Sequence, residues 1–156
     1  MIRVQLEDFD VGAEIRALSK GRDDFGAVVS FTGIVRRGTG EDAIRSMTLE
    51  HYPGMTEGEL ERIEAEARRR WPLAASLIIH RYGRLLPGDN IVLVITASSH
   101  RQAAFEAAEF LMDYLKTNAP FWKKEKRAGG ESAWVEANSG DDEAATRWTP
   151  KPEAAE

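Results

Sequence analysis

Apolar positions along the chain switch between a period near two and a period near 3.6, and each switch marks an element. "IRVQL" (2–6) reads as a short strand. "DVGAEIRALSK" (10–20) reads as a helix, with Val11, Ile15 and Leu18 at helical spacing and Gly21 just beyond. "GAVVSFTGIVR" (26–36) alternates as a strand, with Ala27, Val29, Phe31 and Val35 on one face and Val28, Ser30, Thr32 and Ile34 on the other. "RGTGED" (37–42) has loop chemistry, and "IRSMTLEHY" (44–52) is the next strand, expected to pair with the preceding one across that loop. Residues 53–71 form the clearest helix. Leu60, Ile63, Ala67 and Trp71 make its apolar stripe, Thr56 and Glu59 match a capping box, and Glu64/Arg68 and Glu66/Arg70 have favourable i,i+4 spacing. Pro72 stops it.

Two strands follow, "ASLIIHRYG" (75–83) and "NIVLVITAS" (90–98), joined through the turn signal Pro87-Gly88-Asp89. The unbroken apolar run Ile91–Ile95 predicts a central strand covered on both faces. A helix over 100–117 carries Ala104, Ala108, Leu111 and Leu115 on one side, with Ser99 and Gln102 as a second capping-box match. "FWKKEKR" (121–127) and "SAWVEA" (132–137) read as two strands around "AGGE". The final stretch holds one helical turn and frays beyond Trp148.

With 156 residues the chain is expected to be one domain. Residues 1–148 are taken as that domain and 149–156 as a flexible tail. Cysteine is absent, which excludes disulfides, thiolate catalysis and zinc ribbons. No secretory h-region and no apolar run of about 20 residues is present, so a soluble, cytoplasmic protein is expected, with no membrane association. No GxSxG, HExxH, P-loop or GxGxxG motif occurs, and no two of the three histidines have close metal-ligand spacing, so no metal is expected. His80 lies inside an apolar strand, where a satisfied structural histidine is the better reading.

Charge is uneven. The net charge is -5, yet Lys116–Arg127 holds five bases against one acid. One basic island on an acidic chain fits an anionic small ligand or an acidic partner better than nucleic acid, although "FWKKEKR" also has the make-up of a single-strand stacking track. His100 and Arg101 open a helix after a buried strand, where free N–H groups favour an anion; ordinary first-turn polarity explains them equally. Arg36 and Arg37 end a strand at a glycine-bearing loop, with solvated arginines as the plainer account. Lys116 ends a helix, where it complements the dipole. Alternation places Lys123 and Glu125 on one strand face and Lys124 and Lys126 on the other. Pro120 redirects the chain between Lys116 and Lys123, so the two ammonium groups are candidates for convergence beside Phe121 and Trp122. A charged edge strand is the plainer alternative.

"FTGIVR" (31–36), "TLEHYPGMTE" (48–57), "RWPL" (70–73), "SSHR" (98–101), "FEAAEFLMDYLKTNAPFWKKE" (105–125) and "WVEA" (134–137) together resemble the large, catalytic subunits of molybdopterin synthase, the MoaE family. The resemblance runs in order from about Phe25 to Trp148. It implies an α+β fold, an α/β hammerhead with an additional antiparallel β subdomain. It implies conversion of cyclic pyranopterin monophosphate to molybdopterin, with two sulfurs delivered by the C-terminal Gly-Gly thiocarboxylate of a small ubiquitin-like subunit. The implied assembly is a homodimer within a heterotetramer, and no cofactor is implied because the partner supplies the sulfur. Lys116 and Lys123 match the family's catalytic lysines. Arg36, His100 and Arg101 match residues of the pterin and phosphate site, with Ile34, Val35, Lys124 and Glu125 as neighbouring wall. Lys126 and Arg127 remain solvated charge or partner contact. The chain departs from the family at Asn138, where an arginine reaching the neighbouring subunit is usual; Arg147 is a conceivable substitute. The alternative function is a non-catalytic binding module for a ubiquitin-like Gly-Gly tail.

Overall fold

The computed structural model describes residues 1–130, 132–135 and 139–149. Its strands are β1 (Ile2–Gln5), β2 (Ala27–Ile34), β3 (Ile44–His51), β4 (Leu73–Arg81), β5 (Gly83–Leu85), β6 (Asn90–Ser98), β7 (Phe121–Arg127) and β8 (Ser132–Val135). Its helices are α1 (Val11–Ser19), α2 (Met55–Arg70), α3 (Arg101–Thr117) and α4 (Ser139–Thr146). Two four-stranded sheets result, ordered β1-β4-β6-β2 and β5-β3-β7-β8. β1 runs parallel to β4; every other pairing is antiparallel. This is the expected α+β architecture with a second, wholly antiparallel sheet.

β6 lies between β4 and β2, and its alternate side chains go to opposite layers. Val92 and Val94, with Ile78 of β4, pack under Leu60, Ile63 and Ala67 of α2 and Phe110, Leu111 and Leu115 of α3. Leu93 and Ile95, with Leu77 and Ile79, pack under Phe9 and the Val11/Ile15/Leu18 stripe of α1. Coverage on both faces is why the run Ile91–Ile95 carries no polar alternation. A third cluster, Val35, Met47, Leu49 and Leu85, forms the inner face of the second sheet.

β2 and β3 do not pair, contrary to expectation. β2 pairs β6 and β3 pairs β5 and β7, so the 35–43 segment crosses between sheets instead of closing a hairpin. A register shift at Gly33/Ile34 breaks the strict alternation of β2, turning Val35 into the core and leaving Ile34 53% exposed. The "RLLPGD" connection contains a strand of its own, β5, which joins the second sheet.

Neither capping box forms as written. The α2 N-cap is Gly54, whose N–H donates to Glu57 at 2.7 Å. The α3 N-cap is His100, with no side-chain bond to the helix, and Gln102 donates to Glu106 instead. Both i,i+4 pairs of α2 are present, Arg68–Glu64 at 3.2 Å and Arg70–Glu66 at 2.6 Å. α4 is two turns long rather than one. It is anchored through Trp148, whose indole N–H donates to Asp113 at 2.6 Å and whose carbonyl accepts from Arg70 at 2.7 Å. Asn138 and residues 150–156 of the expected tail lie outside the described residues.

Candidate functional site

Lys116 sits in the last turn of α3 and Lys123 on β7, joined by the short connection over 118–120. Phe121, Lys123 and Glu125 share one face of β7. In the β3–β7 ladder they stand opposite His51, Leu49 and Met47. Glu125 is buried, and its carboxylate lies 3.3 Å from the Lys123 ammonium and 3.2 Å from the Arg127 guanidinium. Arg127 also reaches Asp42 at 3.0 Å, so its half-exposed guanidinium is paired with two carboxylates. Lys124, on the opposite face, lies over the Trp134 ring at 5.8 Å, and Lys126 is exposed.

Lys116 occupies the last turn of α3 and is exposed. Its neighbourhood is marked by His80, near enough for the lysine charge to oppose imidazole protonation. The His80 ring stacks on Phe121 with centroids 3.7 Å apart and planes 19° apart. Its Nδ1 is 2.8 Å from the Arg81 carbonyl, so this nitrogen carries the proton and Nε2 is the acceptor in the neutral ring. His51 extends the cluster, 4.4 Å from the Tyr82 ring and 6.4 Å from Phe121, with Nε2 3.6 Å from Glu57. Phe121, Lys123 and Glu125 thus line one face of β7 with His80 stacked on Phe121, and Lys116 closes the helix that leads into that strand.

Burial pushes the His80 imidazole down to about 4, reinforced by the charges of Lys116 and His51 and opposed by the bond to Arg81. The unfolded chain takes up a proton near pH 6.5 that the folded state refuses. His80 therefore contributes stability in full above pH 6.5, and the contribution is lost as pH falls toward 4. The expected loss is roughly 2 kcal/mol at pH 5. Urea unfolding at pH 7.5 and pH 5 checks it, because His80→Gln should flatten that part of the pH dependence. An unchanged slope in the variant contradicts it.

The anion-side candidates lie elsewhere on the surface. His100 and Arg101 are exposed at the start of α3, Arg36 is exposed beyond β2, and Ile34 projects beside it. Val35 differs: its side chain is in the core, its N–H donates to Asp89 and its carbonyl accepts from Gly88. It offers a ligand no free side chain. Within this one chain, Arg36, His100 and Arg101 have no hydrogen bond or ion pair to Lys116 or Lys123 among the described residues. Arg147 is held by Asp113 and Glu109, the latter at 2.8 Å.

Gly26 sets the path into the His100–Arg101 turn. Its N–H donates to the Ser98 carbonyl at 3.0 Å, and a Cβ added there would lie 2.0 Å from the Ser99 carbonyl oxygen. Gly26→Ala is expected to destabilise the fold by about 1–3 kcal/mol and to shift residues 99–101. Urea unfolding and amide chemical shifts of that turn provide the check; a variant of wild-type stability contradicts it.

The sequence reading missed His51 and Tyr82, and treated Thr56 as a cap and His80 as core. No spacing announces this cluster. Only the pairing of His51 with Phe121 and the packing of β4 bring the rings together. Among the described residues, no group of three or more His, Asp or Glu side chains is placed to hold a metal, and no helix is long and apolar enough to cross a membrane.

Comparison with known proteins adds the following. Residues 4–118 match the family described as MoaE protein. The molybdopterin synthase catalytic subunit of Mesorhizobium japonicum is 61% identical over 148 residues, covering 94% of this chain and 92% of that one. The solved structure of the molybdopterin biosynthesis MoaE protein from Burkholderia ambifaria aligns with a TM-score of 0.80 at 54% identity, over 95% of this chain and 97% of that one. A chain from the Helicobacter pylori complex of subunits 1 and 2 of molybdopterin-converting factor aligns with a TM-score of 0.71 over 86% of this chain and 90% of that one. At 21% identity, that likeness is one of fold.

Proposed function

Since the chain belongs to the MoaE family, the catalytic subunits of molybdopterin synthase, we propose that it transfers two sulfurs to cyclic pyranopterin monophosphate, forming the dithiolene of molybdopterin. The donor is the C-terminal Gly-Gly thiocarboxylate of a small ubiquitin-like subunit. The observation that carries this reading is the β7 face of Phe121, Lys123 and Glu125 with His80 stacked on it, entered directly from the helix end that bears Lys116. A thiocarboxylate tail brings an anion and the substrate brings a cyclic phosphate, so the site requires cations whose positions are held. Lys123 has such a hold in Glu125, 3.3 Å away on its own strand face.

In this reading Lys116 and Lys123 stabilise the charge that builds when the thiocarboxylate sulfur attacks and the phosphate ring opens, and they deliver or accept the protons. Arg36, His100 and Arg101 bind the pterin and its phosphate, with Ile34, Val35, Lys124 and Glu125 as the neighbouring wall. His100 and Arg101 open α3 and Lys116 lies in its last turn, so the length of the helix separates them within one chain; that supports a site completed by a second copy, in a homodimer that carries one small subunit per protomer. The Helicobacter pylori complex of two subunits supports the small partner. The test is reconstitution with thiocarboxylated carrier and cyclic pyranopterin monophosphate, with mass spectrometry of the pterin. A mass gain from two sulfurs is expected; complex formation without sulfur transfer would leave a binding module instead.

A further inference from the structure

The Thr56 hydroxyl ties the turn between β3 and α2 to a segment distant in sequence. It accepts from the Tyr52 N–H at 2.9 Å and donates to the Pro120 carbonyl at 3.1 Å, 64 residues away. The side chain is fully buried. The β3–β7 ladder ends at the His51–Phe121 pair, so Tyr52 and Pro120 are the first residues beyond it. The hydroxyl therefore extends that ladder by one bridge, at the bend between α3 and β7. Lys116 lies four residues before Pro120 and Lys123 three residues after it. Phe121 is pinned independently by its stack on His80. The bend connecting the two lysines is thus held by one hydrogen-bonded clamp and one stacking clamp.

We propose that Thr56 is a positioning residue for the reaction, acting through the Pro120 carbonyl to hold the spacing and direction of Lys116 and Lys123. A helix cap would need only an oxygen aimed at its own helix, and Glu57 already serves Gly54. Proline has no N–H, so the carbonyl is the one backbone hydrogen-bonding group through which residue 120 can be held. Valine in place of threonine keeps the shape and removes both bonds. The bend would then keep its packing but lose its polar register. Displacements of about 1 Å at a positioned group cost on the order of 100-fold in rate, and a bend still clamped by the stack should lose less, about tenfold.

The inference rests on the reading of Lys116 and Lys123 above, so Thr56→Val, Thr56→Ser and Lys116→Ala are assayed together with carrier and pyranopterin. The expected result is a kcat lowered about tenfold in Thr56→Val, an unchanged KM for the carrier, and recovery in Thr56→Ser, all well below the melting temperature. If Lys116→Ala turns over normally, the underlying reading fails. If Lys116→Ala is inactive while Thr56→Val has wild-type kcat, the positioning role alone is overturned. A loss in Thr56→Val that serine does not restore also overturns it, as does a change confined to KM. Should Thr56→Val not fold, Thr56→Ala is read the same way; if neither folds, the hydroxyl is a folding determinant and the inference is wrong.

Discussion

Replacing Lys116 by alanine is expected to abolish product formation while leaving the protein folded. Lys116 is exposed in the last turn of α3. Its contribution to the fold is the interaction of a cation with a helix C-terminus, about 0.3–1 kcal/mol. Its contribution to the proposed reaction is expected to be of another order. Removing one preorganised donor from a site of developing negative charge costs roughly 100- to 1000-fold in kcat. The proposed two-sulfur reaction would meet that cost at each transfer. Single-turnover formation of the dithiolene, followed by mass spectrometry beside a urea unfolding curve, separates the two contributions. Normal turnover in Lys116→Ala removes this lysine from the mechanism. Unfolding in place of inactivity shows that the α3 terminus needs the charge for stability.

Phe110→Ala is expected to cost about 3–5 kcal/mol, a large part of a typical domain's stability. Phe110 is fully buried at the meeting point of α2, α3 and α4. Its ring centroid is 5.2 Å from Trp71, 4.6 Å from Tyr114 and 5.6 Å from Trp148, and the Arg70 guanidinium lies over it at 4.8 Å. Truncation leaves a cavity that these neighbours cannot fill without breaking Trp71–Glu106 or Trp148–Asp113, both hydrogen-bonded through their indole N–H groups. Urea unfolding followed by tryptophan fluorescence should show the midpoint fall and the α4 contact loosen. A change below about 1 kcal/mol would show that the site collapses freely.

The element order was legible because periodicity is a local property. The α1 stripe, the α2 ion pairs and the doubly covered β6 can each be read within windows of a few residues, and the structure contains each of them. Pairing was not legible. β2 and β3 are adjacent in sequence and look like a hairpin, yet they belong to different sheets. Their own residues do not say that Val35 must turn inward to meet Met47, Leu49 and Leu85. The capping boxes failed for a related reason. Thr56 has the right type and spacing for a cap, but a distant partner, the Pro120 carbonyl, takes its hydroxyl. The pairing of Arg127 with Glu125 and Asp42 is likewise invisible until the strands are in place.

By itself the sequence determined which residues form most of the helices and strands, β5 and the length of α4 excepted, the family through its motif strings, and the alternation that puts Lys123 beside Glu125. Those depend on neighbours up to about seven positions apart, where backbone geometry leaves few choices. The tertiary structure decided which strands share a sheet, that His80 stacks on Phe121 beside Lys116, and that Thr56 holds the bend between the two lysines. Those contacts span 41 and 64 residues in the chain. They are set by which apolar faces bury one another, a competition among whole elements that no local window contains.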